Sequence, residues 1–152
     1  VTTYETLVFL HVVAATIWVG AGIMTTVLLT QVVRAKDRQL TETYARQGAL
    51  IGPALFAPAA LALIAFGLWA AIDLDWDLGA TWITIGFVGW AIGFVLGVAY
   101  HGPQGGRLKR ALAEEGAVGP RTSRLLRQEL VVSLFEVVVV IVVVWAMVAK
   151  PT

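Results

Sequence analysis

The sequence predicts an all-α fold, a four-helix transmembrane bundle with both termini on the outer side. Three observations carry that reading. Four apolar runs, Leu7–Val33, Ile51–Ile72, Trp82–Tyr100 and Val131–Val148, each lie near the ~20 residues that a bilayer-spanning helix needs. Of the eleven Lys and Arg, only Lys150 lies outside two basic segments, Arg34 to Arg46 and Arg107 to Arg127. The positive-inside rule places those segments in the cytoplasm and both termini outside. The connection Asp73–Leu74–Asp75–Trp76–Asp77 carries only negative charge and falls on the outer side, which agrees with the same orientation.

With 152 residues, 59% hydrophobic composition and a net charge of +1, the chain has room for one integral membrane domain, residues 1–152, and no separate soluble one. It contains no cysteine, which excludes disulfides, thiolate metal sites and iron–sulfur clusters. The first run is preceded by Glu5 and by no Lys or Arg, and it exceeds the apolar core of a cleaved signal peptide, so it reads as a permanent helix.

The first span ends at Gln31 and the stop-transfer cluster Arg34, Lys36 and Arg38. Thr41 reads as the N-cap of a short helix through Arg46. The second span opens with Gly52–Pro53. Pro58 lies further in, and because proline removes a hydrogen bond and clashes with the preceding turn, a kink is expected near Phe56.

In the third span Gly86, Gly89, Gly93 and Gly97 recur at intervals of three and four, a small-residue face that lets helix backbones approach closely, within the bundle or across a dimer. Gly102–Pro103–Gln104–Gly105–Gly106 reads as a connection, followed by an amphipathic piece Arg107–Glu115 and a second connection Gly116–Pro120. The glycine-rich stretch is not a phosphate loop, because the Gly-Lys-Ser/Thr ending is missing. The basic residues suit lipid headgroups rather than nucleic acid.

The fourth span, with Val137–Val140, Ile141 and Val142–Val144, has the composition of a buried strand, but its length and context make it a helix, since only helices and closed barrels satisfy every backbone group in lipid. Trp69, Trp76, Trp82 and Trp145 fall near the outer boundary and Tyr100 at the inner one, as an aromatic belt.

Few residues can carry chemistry. His11 lies one to two turns inside the first span, with Trp18 seven residues on and on the same face. An ionisable group at that depth faces the bundle interior and is a candidate site, against the alternative of a neutral His bonded to a neighbouring carbonyl. Glu136 is the other buried ionisable group. Thr25, Thr26 and Gln31 of the first span and His101 at the end of the third are its candidate partners, in a polar clasp between helices or one step of a proton relay.

His11 and His101 are the only imidazoles, and roughly 25–30 Å of membrane separates them, so they cannot share one metal. Haem, or less readily copper, bound at His11 would take its second ligand from Met147 or Lys150 at the end of the fourth span, or from a second subunit. The partner residues of serine, cysteine or zinc-peptidase catalysis are missing, which favours a non-catalytic role.

The run Leu10–His11–Val12–Val13–Ala14–Ala15–Thr16–Ile17–Trp18–Val19–Gly20 and the ending Trp145–Ala146–Met147–Val148–Ala149–Lys150–Pro151 resemble the small integral membrane proteins grouped as domain of unknown function 2269. The resemblance covers the four-span length and implies a multi-pass protein of a bacterial inner membrane. The His-then-Trp-Gly entry is also similar to the membrane domain of copper-resistance D proteins and to the haem-binding four-helix membrane protoporphyrinogen oxidase. That similarity implies His11 as a ligand, with no histidine here matching the second one. The expected role is a structural or accessory subunit of a lipid-embedded assembly, homo-oligomeric or part of a larger complex. The alternative is a haem- or copper-binding redox or transport protein using His11 and Met147.

Overall fold

The computed structural model describes residues 2–151, and among them four long helices run up and down with no strand: α1 (Thr3–Ala35), α2 (Arg38–Asp73), α3 (Thr81–Glu115) and α4 (Pro120–Ala149). All four are long and apolar enough to cross a membrane. The first helix packs chiefly on α2 and also on α4, while α3 packs on α4 and, at its basic end, on α2.

Local sequence signals set the ends. Thr2 accepts a hydrogen bond from the Glu5 backbone N–H at 3.2 Å, and Glu5 Oε2 accepts from the Thr2 N–H at 2.8 Å, a capping box that starts α1. Lys36 ends it in the left-handed conformation. Asp37 then caps α2 by accepting from the Leu40 N–H at 2.7 Å.

The cap is Asp37 and not Thr41, whose hydroxyl instead donates to the Asp37 carbonyl from a fully buried position. The physical reason is that Asp37 already supplies the acceptor for the first-turn N–H groups, leaving Thr41 inside the helix.

Two expected breaks are absent because the helices run through them. Residues 102–106 are helical, so the third span and the amphipathic piece form one helix to Glu115. Likewise the segment from Arg38 runs into the second span without a connection. Both junctions widen into a π turn, Gly52–Phe56 in α2 and Leu96–His101 in α3.

Each π turn precedes a proline whose ring would clash with the carbonyl four residues back: Ala54 for Pro58 and Ala99 for Pro103. Widening relieves the clash. The N–H just before each proline bonds five residues back, Ala57 to Gly52 and Gly102 to Gly97. The disturbance expected near Phe56 thus takes the form of a π turn.

The core lies at the basic end. Leu29, Val32, Ala45, Leu108 and Leu126 from all four helices are buried together there, with Leu40, Tyr44 and Leu130 against them. By contrast, only 11% of the most apolar window of α1, α3 and α4 is buried, and Phe9, Val12, Leu61, Val88, Val138 and Ile141 are exposed. Lipid solvates such side chains as well as another helix does, so the hydrophobic effect draws a dense core together only where water reaches.

Small residues hold the apolar halves close. The α-carbon of Gly86 sits under the Met147 methyl, and that of Gly89 under Val143. A Cβ at Gly93 would lie 2.7 Å from the Trp18 ring, whereas one at Gly97 would meet nothing within 4 Å. Trp90 adds a polar tie by donating its indole N–H to the Ala60 carbonyl at 2.9 Å.

Candidate functional site

The densest polar constellation lies where α3 meets α4 at the basic end of the bundle. The seam of α4 that faces inward is Thr122, Leu126, Glu129 and Ser133, all buried, and Glu136 continues it. Spacings of three and four residues keep these positions on one helix face. Opposite them stands His101, the last residue of the α3 π turn.

His101 Nδ1 lies 2.7 Å from Glu129 Oε1, and its Nε2 lies 2.7 Å from Glu136 Oε2. The imidazole therefore bridges two carboxyl groups two helical turns apart on α4. The side chains keep 26%, 10% and 23% of their surface for His101, Glu129 and Glu136, so the site is largely enclosed by protein.

Proton counting gives this geometry chemical content. A neutral imidazole between two carboxylates has one ring proton, enough for one of the two short contacts. The second contact needs one more, whether it resides on the ring or on a carboxyl. The bridged geometry thus holds one proton beyond the fully ionised acids, and releasing it breaks one hydrogen bond. Glu129 Oε2 is buried and has no hydrogen-bond partner among the described residues, so it is the oxygen with capacity for a further proton.

Other polar groups adjoin the bridge. Gln104, one turn beyond His101 and buried, donates from Nε2 to the Tyr100 hydroxyl at 3.3 Å. Tyr44 on the basic extension of α2 lies outside the apolar run. Burial, and behind it the negative charge of Glu129 and Glu136, pushes its phenol above the usual range, so it keeps its O–H.

Sequence reasoning named Glu136 and His101 as possible partners, and the structure brings them together. Of the alternative partners for Glu136, Thr26 donates to the Gly22 carbonyl of its own helix instead. Glu129 was missed because it lies close to Arg124 and Arg127 and reads as part of the basic segment. The seven-residue interval to Glu136 was the signal that could have found it.

His11 stands apart, toward the other end of the bundle. Its Nδ1–H donates to the Leu63 carbonyl of α2 at 2.8 Å, and its ring lies over Gly67. The hydrogen-bond partner is thus on α2 and not at the end of α4, where Met147 covers Gly86 and Lys150 lies against Trp76 and Trp82. The reason is local: Gly67, one turn beyond Leu63, has no side chain to shield that carbonyl. Among the described residues no group of three or more His, Cys, Asp or Glu is arranged to hold a metal ion.

No curated protein and no solved structure matches the chain. A family description does, over nearly its full length. Residues 5–151 match the one described as predicted integral membrane protein (DUF2269), and the chain belongs to that family.

Proposed function

We propose that this protein is a multi-pass accessory subunit of a bacterial inner-membrane assembly, with its basic segments in the cytoplasm and both termini outside, and that it holds a proton at its cytoplasmic end. The observation that carries the reading is the pair of 2.7 Å contacts from His101 to Glu129 and Glu136. Paired carboxyls on an imidazole inside a membrane bundle are costly to keep, and such groups line proton paths where they occur. A clasp serving packing alone needs only one such bond. The orientation rests on the two basic segments.

Proton uptake by the purified protein in lipid nanodiscs tests the site. Stepping the pH downward should load one proton fewer per chain in Glu136→Gln than in the unaltered protein. Identical uptake curves would contradict the proposal. Probes attached near Arg38 and Lys109 should react only from the cytoplasmic side and tags at the termini only from outside; the reverse would overturn the orientation.

A second reading is favoured by one observation at His11. Because the Leu63 carbonyl can only accept, the proton sits on Nδ1 and the lone pair on Nε2, the tautomer that a haem iron or copper ion takes as a ligand. His11 fits one such position. Met147 would have to leave Gly86 to supply another. A Soret band that disappears in His11→Ala and persists in His101→Ala supports this reading. A colourless, metal-free preparation from cells supplied with haem and copper contradicts it.

A further inference from the structure

At the end of the bundle away from the basic segments, Trp76 and Trp82 form a corner of two aromatic walls. Their ring centroids are 5.0 Å apart and their planes meet at 77°, while Tyr4 stands edge-on to Trp76 at 6.0 Å. The corner is loaded. Lys150 Nζ lies 4.9 Å from the Trp76 centroid and 5.2 Å from that of Trp82, within the range over which an aromatic face attracts a cation.

Three features make this more than a chance contact. The walls come from one connection and the helix that follows it, Trp76 between α2 and α3 and Trp82 in the first turn of α3, so the fold of that connection sets the angle between them. Asp73, Asp75 and Asp77 lie in or beside the same connection, which surrounds the corner with negative charge and draws cations toward it. Finally, Lys150 is the residue that ends α4, in the left-handed conformation with its N–H bonded to the Ala146 carbonyl, and its side chain is otherwise exposed, so the rings are what it rests on.

We propose that Tyr4, Trp76 and Trp82 form an ammonium-binding corner whose resident ligand is Lys150, and that an alkylammonium group from outside the chain takes the same place when Lys150 swings out. Such a group is carried by an aminophospholipid headgroup or by a free amine. A lysine on a flexible four-carbon stem leaves readily, because its side chain can swing away while the backbone that ends α4 stays in place. Two tryptophan faces at right angles accept a methylated or primary ammonium alike, since the attraction comes from the ring quadrupole and needs no hydrogen-bond geometry.

The test uses the intact chain in nanodiscs, tetramethylammonium chloride as the soluble probe, and the ring-current shift of its methyl resonance as the readout. Lys150→Met removes the resident cation and keeps the stem. It should bind the probe about tenfold more tightly than the unaltered protein, and adding Trp82→Leu should abolish the gain while Trp69→Leu, on an exposed ring elsewhere, should not. Enrichment of phosphatidylethanolamine over phosphatidylglycerol around Lys150→Met identifies the lipid headgroup as the source. Probe binding without lipid preference identifies a soluble amine. No shift in Lys150→Met, with helicity and thermal unfolding unchanged, or equal affinity in both proteins, overturns the proposal.

Discussion

His11 and Gly67 are matched across the α1–α2 contact: the imidazole occupies the space that any side chain at 67 would fill, and from there it reaches the Leu63 carbonyl at 2.8 Å. A Cβ at 67 would stand 2.7 Å from two ring atoms. Gly67→Val should therefore displace the ring and leave its N–H without a partner in an apolar surrounding, at a cost of about 1–3 kcal/mol. Thermal unfolding in detergent checks this, and His11→Phe in the same background should recover part of the loss, because phenylalanine has no N–H to leave unpaired.

Gly93 and Gly97 offer a matched pair on one helix. Gly93 lies under Trp18, whereas Gly97 faces open space. Gly93→Leu should lower stability by on the order of 1 kcal/mol or more as α1 and α3 are forced apart. Gly97→Ala should be neutral or slightly stabilising, since alanine favours the helix by up to about 1 kcal/mol where nothing obstructs it. Equal effects at the two positions would mean that the Trp18 contact is not formed.

Tyr44 sets a pH dependence at the alkaline end. Its phenol titrates above the ordinary value of 10.0 in the folded protein, so the folded state holds that proton more tightly than the unfolded chain does. The sign follows: the contribution to stability is complete below pH 10.0 and is lost as the pH rises from there through the folded value. Denaturation midpoints measured across that range should fall with pH, and Tyr44→Phe should flatten the fall.

The membrane spans were legible because lipid imposes length and apolarity on every helix, and Leu7–Val33 or Val131–Val148 admits no other solution. Continuity at the basic end was not legible. Gly102, Pro103, Gly105 and Gly106 carry the local signature of a connection, but burial of Gln104, Leu108 and Ala111 in the bundle outweighs the low helix propensity of those residues. The same burial hid half of the site. Glu136 stands out in a run of valines, whereas Glu129 blends into a charged segment until tertiary contact with His101 sets it apart. Lys150 was visible as the one basic residue outside the two segments, but the ring corner that holds it depends on the turn between α2 and α3, which periodicity does not describe.

Loss of either carboxyl should unseat the imidazole. Glu129→Gln or Glu136→Gln replaces a short charge-assisted bond with a neutral one, and a cost on the order of 2 kcal/mol is expected for a group this enclosed. The double variant should cost less than the sum of the two singles, because both act through the one ring. Additive costs would place the two carboxyls in separate environments.

The bridge itself is read most directly from the ring nitrogens of His101 by 15N resonance in lipid nanodiscs, with His11 replaced by Gln to leave a single signal. With the bridge in place, near neutral pH both Nδ1 and Nε2 should resonate as hydrogen-bonded nitrogens, and Glu129→Gln should shift Nδ1 while Glu136→Gln shifts Nε2. A neutral imidazole with one free nitrogen, unchanged in both variants, would contradict it.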